Sequence, residues 1–162
     1  MIIVRPFRLD DLARLDPPAL TAAQLEGLRG LPLPPGLAYT AEDSGAEDPG
    51  AGASGAGEGG RVLGCAGVLA PPGVRTGRAW AILGEELRRR PQVLHRRVLR
   101  RLPRIAAELG LDRIEARVRA DYPAGRAWLE RLGFRPAAAG PAAPDEATLL
   151  LYARRLAAPL SS

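Results

Sequence analysis

The stretch LGLDRIEARVRADYPAGRAWLERLGF, residues 109–134, constrains the fold more than any other part of the chain. Gly110 closes a helical pattern, as glycine does where the last turn must reverse into the left-handed region. Ile114, Ala116, Val118 and Ala120 then alternate with Glu115, Arg117, Arg119 and Asp121, a period of two that makes a strand with one apolar face. Tyr122-Pro123 breaks the strand, and residues 124–132 read as a helix that stops at Gly133. Only residues 110–112 connect the strand to the helix before it, and consecutive elements with single apolar faces usually pack together. The expectation is that Ile114, Ala116, Val118 and Ala120 face that long helix, with Trp128 and Phe134 buried in the same core.

The preceding helix is read over residues 92–109. Leu94, Val98, Leu102, Ile105 and Leu109 recur at steps of four, four, three and four, one apolar stripe. Pro91 suits its first turn, and Pro103 inside the pattern is expected to kink the helix or split it in two. Upstream, residues 2–8 read as a first strand and residues 9–15 as a short helix, with Asp10 or Asp11 placed for its positive end. Pro17-Pro18 stops that helix. Thr21 caps a second one over 22–28, closed by Gly30. Strands follow at 37–42, 61–70 and 78–83, and a final strand at 147–156. The run RVLGCAGVLA from Arg61 is apolar on both faces and suits a central strand, where Gly64 and Gly67 admit close neighbours.

Residues 44–60 differ from the rest. Their seventeen positions hold seven Gly, four Ala, two Ser, one Pro and three acids, with no large apolar side chain. Such a segment has nothing to bury and is expected to be a flexible loop, dispensable for folding. The 162 residues are accordingly read as a single domain spanning 1–162, with 46% apolar residues available for a core. No run approaches the ~18 apolar residues of a membrane span. Charges interrupt the amino-terminal apolar residues, so no secretory leader is read there. Cys65 is the one cysteine, which excludes an internal disulfide and favours a reducing, cytoplasmic setting.

The order of these elements, and the box Trp128-Leu129-Glu130-Arg131-Leu132-Gly133-Phe134, resemble the GNAT superfamily of N-acetyltransferases. The opening Arg5-Pro6-Phe7-Arg8 fits the way many members begin. The resemblance implies an α/β (α+β) fold, a central mixed sheet of about six to seven strands flanked by about four helices. It implies acetyl-CoA as co-substrate, no metal, and transfer of an acetyl group to an amine of an unspecified acceptor. Membrane attachment is not expected, and a homodimer is left open.

In that family the fourth strand holds the pantetheine arm, here ending near Leu83, and a loop of the form Q/R-x-x-G-x-G/A cradles the pyrophosphate. Backbone N–H groups and the positive helix end explain why such a loop binds an anion. By position the loop falls on Arg90-Pro91-Gln92-Val93-Leu94-His95. Arg90 holds the Q/R place, while Val93 and His95 stand where glycine belongs. Arg96 and Arg97 are candidates to grip phosphate by side chain instead. Glu85 and Glu86 are candidates for the general base, the competing reading being an exposed carboxylate pair. Leu129 fills the place of the family's acidic tyrosine, which leaves Tyr122 and Tyr152 as the candidates nearby, the competing reading of Tyr122 being a turn residue packed on a helix. The missing glycines and the Trp-Leu-x-x-Leu-Gly-Phe ending also resemble GNAT-like virion proteins of some phages, which implies a catalytically silent binding or structural protein as the alternative.

The formal charge is +5, and all 23 basic residues are arginine. Eight of them lie between Arg88 and Arg104. A solvated helix face and a phosphate-binding surface both fit that run. No zinc-finger or aromatic RNA-binding signature accompanies it, so nucleic acid is not expected as a partner on charge alone.

Overall fold

The computed structural model describes residues 1–44, 60–137 and 149–156. It is a mixed α/β structure with a seven-stranded sheet and, among the described residues, four α-helices. The strands are β1 (Ile2–Pro6), β2 (Gly36–Asp43), β3 (Arg61–Leu69), β4 (Thr76–Leu83), β5 (Arg113–Arg119), β6 (Arg135–Pro136) and β7 (Leu149–Arg155). The helices are α1 (Ala22–Leu28), α2 (Glu85–Arg89), α3 (His95–Leu109) and α4 (Pro123–Arg131). Strand order in the sheet is β1-β2-β3-β4-β5-β7-β6. Residues 45–59, which hold most of the Gly/Ala segment, lie outside the described residues.

Backbone contacts gather the chain into two compact units. The first comprises residues 1–31, 38–66 and 81–87. In it β1 pairs antiparallel with β2, Ile2 opposite Asp43 through Pro6 opposite Tyr39. The short helix expected over 9–15 is a 3₁₀ helix over Leu9–Ala13. So short a run before Pro17 lacks the length to make the costly helical nucleus worthwhile. Thr21 caps α1 as read: its hydroxyl accepts from Gln24 N–H at 3.2 Å and the Gln24 amide oxygen accepts from Thr21 N–H at 2.9 Å. Val62, Leu63 and Cys65 of β3 are buried, as is Leu87 of α2. A side chain at Gly64 would meet Leu87 and Leu83, so this glycine is the gap into which those leucines pack.

A charged network lies at the centre of this unit. Arg5 donates through both Nη atoms to the two Asp11 carboxylate oxygens, at 2.9 and 2.7 Å, and through Nε to Glu42 at 2.6 Å. Asp11 also accepts from the Thr40 hydroxyl at 2.7 Å and from Arg8 N–H at 2.9 Å. Asp11, Thr40 and Glu42 are all buried. Cys65 sits against Thr40, its Sγ 3.6 Å from the hydroxyl. Burial pushes the Cys65 thiol up to about 11. The native protein should therefore resist alkylation by iodoacetamide at pH 8, with full labelling only after denaturation. Rapid native labelling would contradict this placement.

The second unit comprises residues 32–37, 67–80 and 88 onward. Here β4 runs parallel to β5, from Thr76 opposite Arg113 to Ala79 opposite Ala116. On its other side β5 pairs antiparallel with β7 along its whole length, and β7 carries the short edge strand β6. The apolar face of β5 is buried at Ile114, Ala116 and Val118. Ala120 is exposed, contrary to the expected alternation, because the strand ends at Arg119 and Ala120 belongs to the turn. Trp128 and Phe134 are buried, as expected.

The long helix departs from its reading in two ways. Its first turn, Pro91–Leu94, is 3₁₀, and the α-helix begins at His95. Tightened turns of this kind are common at helix starts. The helix then runs unbroken through Pro103 rather than splitting there. Pro103 is exposed, so the backbone group it leaves unpaired can be met by water. Gly110 ends α3 with φ 67°, the left-handed conformation assigned to it from sequence.

Candidate functional site

Most of the loop and helix residues singled out from sequence fall in the second unit. Arg90 precedes the 3₁₀ turn and is exposed. Val93 lies within the turn, 45% exposed. His95 opens α3 half-buried, and Arg96 and Arg97 follow on its exposed side. The turn consumes the donors that a phosphate cradle would need. Val93 N–H donates to Arg90 C=O at 3.2 Å, and His95 N–H to Gln92 C=O. Pro91 has no N–H to offer.

Side chains remain as anion donors. Among the described residues no carboxylate pairs with Arg90 or Arg96. The His95 Nδ1 is buried without a hydrogen-bond partner. Such an orphan group at the positive end of a 15-residue helix fits an acceptor brought by a ligand. A phosphate group thus fits this segment through side chains, not through a glycine cradle.

Tyr122 ties the segment down. Its hydroxyl donates to Arg88 C=O at 2.9 Å, and its ring lies against Gly125, where an added Cβ would sit 2.3 Å from the ring edge. Helix α4 packs on the 3₁₀ turn Pro91–Leu94 and on β5. Burial raises the Tyr122 phenol above its ordinary range, against the opposing pull of the Arg88 charge, so it stays protonated. The structure therefore brings Tyr122 together with the Arg88–Arg90 backbone, the turn and α4. This tie has no sequence signal beyond a tyrosine before a proline.

Two further candidates belong to the first unit. Glu85 and Glu86 open α2, a helix absent from the sequence reading, and both are exposed. Glu86 is ion-paired with Arg61. Glu85 N–H donates to Asp16 C=O at 2.9 Å. Leu83 ends β4 half-buried, its side chain over Gly64. Among the described residues no group of three or more His, Cys, Asp or Glu side chains is placed to hold a metal ion. No described helix is long and apolar enough to cross a membrane.

This architecture is the GNAT fold. Solved structures similar to the chain include a GNAT-family acetyltransferase from Streptococcus pneumoniae, at 14% identity, TM-score 0.63, covering 97% of this chain and 100% of that one. The ribosomal-protein-S18-alanine N-acetyltransferase from Escherichia coli matches at 15% identity and TM-score 0.61, covering 96% of this chain and 94% of that one. A Salmonella typhimurium protein assigned as an acetyltransferase, solved with its cofactor acetyl-CoA, matches at 15% identity and TM-score 0.61, covering 99% and 96%. No family model matches the sequence, and no curated protein does.

Proposed function

We propose that this chain is an N-acetyltransferase that uses acetyl-CoA and an amine acceptor. The observation that carries this reading is the seven-stranded mixed sheet with its flanking helices, an architecture similar to solved acetyltransferases, one of them with acetyl-CoA. Acetyl-CoA supplies the acyl thioester when bound.

Arg90 and Arg96 hold phosphate oxygens through charge-assisted bonds, with His95 Nδ1 as a further donor. Tyr122, kept protonated, serves as proton donor or as the clamp on Arg88. Glu85 or Glu86, directly or through water, takes a proton from the attacking amine.

Calorimetry with acetyl-CoA at low salt tests this. One site is expected, weakened by Arg90→Ala and Arg96→Ala by about 1.5–3 kcal/mol each. No heat at millimolar ligand would remove the proposal. Tyr122→Phe separates its two roles: a lower kcat at unchanged stability marks an acid, a lower melting temperature at unchanged kcat marks a clamp.

One observation favours a second reading, a GNAT fold that binds or scaffolds without catalysis. The 3₁₀ turn spends the Val93 and His95 N–H groups on its own backbone. On that reading the calorimetric result is null, while the fold stays intact.

A further inference from the structure

Several arginines outside α3 are ion-paired with carboxylates. Arg29 pairs with Asp10 and Glu26, Arg61 with Glu86, Arg75 with Asp112, and Arg119 with Asp121. The segment between Glu86 and Glu108 contains no acidic residue at all. Within it, Arg96, Arg100 and Arg104 are exposed, and none is paired with a carboxylate among the described residues.

The unbroken course of α3 gives their face of the helix its shape. Arg96, Arg100 and Arg104 step by four residues, so each is rotated by about 40° from the last and displaced by about 6 Å along the axis. A helix split at Pro103 would have turned Arg104 away. Because α3 continues to Leu109, the three guanidiniums form one gently winding row. Leu102, Ile105 and Ala106 are buried on the opposite side. That side is therefore engaged in the core and cannot enter a lipid surface.

We propose that the Arg96–Arg100–Arg104 face of α3 binds the phosphate backbone of double-stranded nucleic acid. Guanidinium forks bind phosphate oxygens bidentately, and releasing condensed counterions drives the association. The 88–104 segment carries no Phe, Tyr or Trp, and its one imidazole, His95, is half-buried, so it offers little stacking platform for single-stranded bases. Arg96 is shared with the helix end assigned to coenzyme A, whereas Arg100 and Arg104 lie one and two turns beyond it, so substitutions at those two test this surface separately from the acetyltransferase reading.

The test is fluorescence anisotropy with a labelled 20-base-pair DNA duplex between 50 and 200 mM NaCl. Three phosphate contacts predict a slope of log K against log salt of about −2.7. Arg100→Gln with Arg104→Gln should bring that slope to about −0.9, weaken duplex binding at 50 mM salt at least tenfold, and leave the calorimetric response to acetyl-CoA unchanged. The pair Arg8→Gln with Arg135→Gln removes the same net charge from exposed sites elsewhere and should change the slope little. The inference is overturned by equal losses in both double variants, by no binding at 50 mM salt, or by tighter binding to a single strand of the same length. Stronger binding to phosphatidylserine vesicles than to duplex, lost in the α3 variant, would overturn it in favour of a membrane surface. Circular dichroism melting of each variant confirms that only folded protein is compared.

Discussion

Asp11→Ala is expected to lower the unfolding free energy by about 3–5 kcal/mol in urea denaturation, the usual cost of breaking a buried ion pair from one side. The substitution removes both acceptors of the Arg5 fork, the acceptor of Thr40 and that of Arg8 N–H. Arg5 then keeps Glu42 and the Pro6 carbonyl. The neighbouring Asp10→Ala is the control, because the Asp10 side chain is 63% exposed and meets Arg29 at 3.4 Å. It should cost less than about 1 kcal/mol. Similar small losses for both would show that the network contributes little.

The same carboxylate sets a pH dependence. Burial alone would raise the Asp11 pKa, but hydrogen bonds from Arg5, Thr40 and Arg8 N–H, with the Arg5 charge, outweigh it and hold the carboxyl below the ordinary range. A group whose folded pKa is depressed stabilises the fold above its unfolded value, about 3.9, and that contribution disappears as pH falls through the folded value. Stability should thus decline below about pH 4, and Asp11→Asn should flatten that part of the profile.

Asp10 and Asp11 also show where sequence reading stops. Both suit the positive end of a helix, and nothing in the chain order says which one turns inward. Only the pairing of β1 with β2 places Thr40 and Glu42 beside Arg5, and those partners are 35 and 37 positions away. Periodicity, by contrast, is local. The stripe on α3, the alternation on β5 and the Thr21 cap were legible because each depends on residues within a few positions of one another. Helix α2 was not, since five residues with no full apolar period leave no such signal. The site was legible in part. The lost glycines at Val93 and His95 announced an altered loop, but the 3₁₀ turn that occupies their N–H groups depends on how Pro91 and α4 pack. The tie from Tyr122 to Arg88 spans 34 residues and has no pattern to betray it.

Phe134→Ala is expected to cost about 3–5 kcal/mol, the range for truncating a buried aromatic residue. Phe134 is 1% exposed and follows Gly133, whose φ of 90° turns the chain out of α4 and into β6. Its own N–H donates to Leu129 C=O at 3.0 Å, which fixes the turn that aims the ring inward. Removing the ring leaves a cavity that a backbone held by that bond cannot close, so relaxation recovers little. Arg117→Ala, at an exposed position of β5, should stay within about 0.5 kcal/mol. The pair of substitutions therefore asks whether the Leu-Gly-Phe box anchors the core or only ends a helix. A cost at Phe134 as small as that at Arg117, read from the same urea transitions, would show that the ring is not core, and the strongest sequence argument for this fold would fall with it.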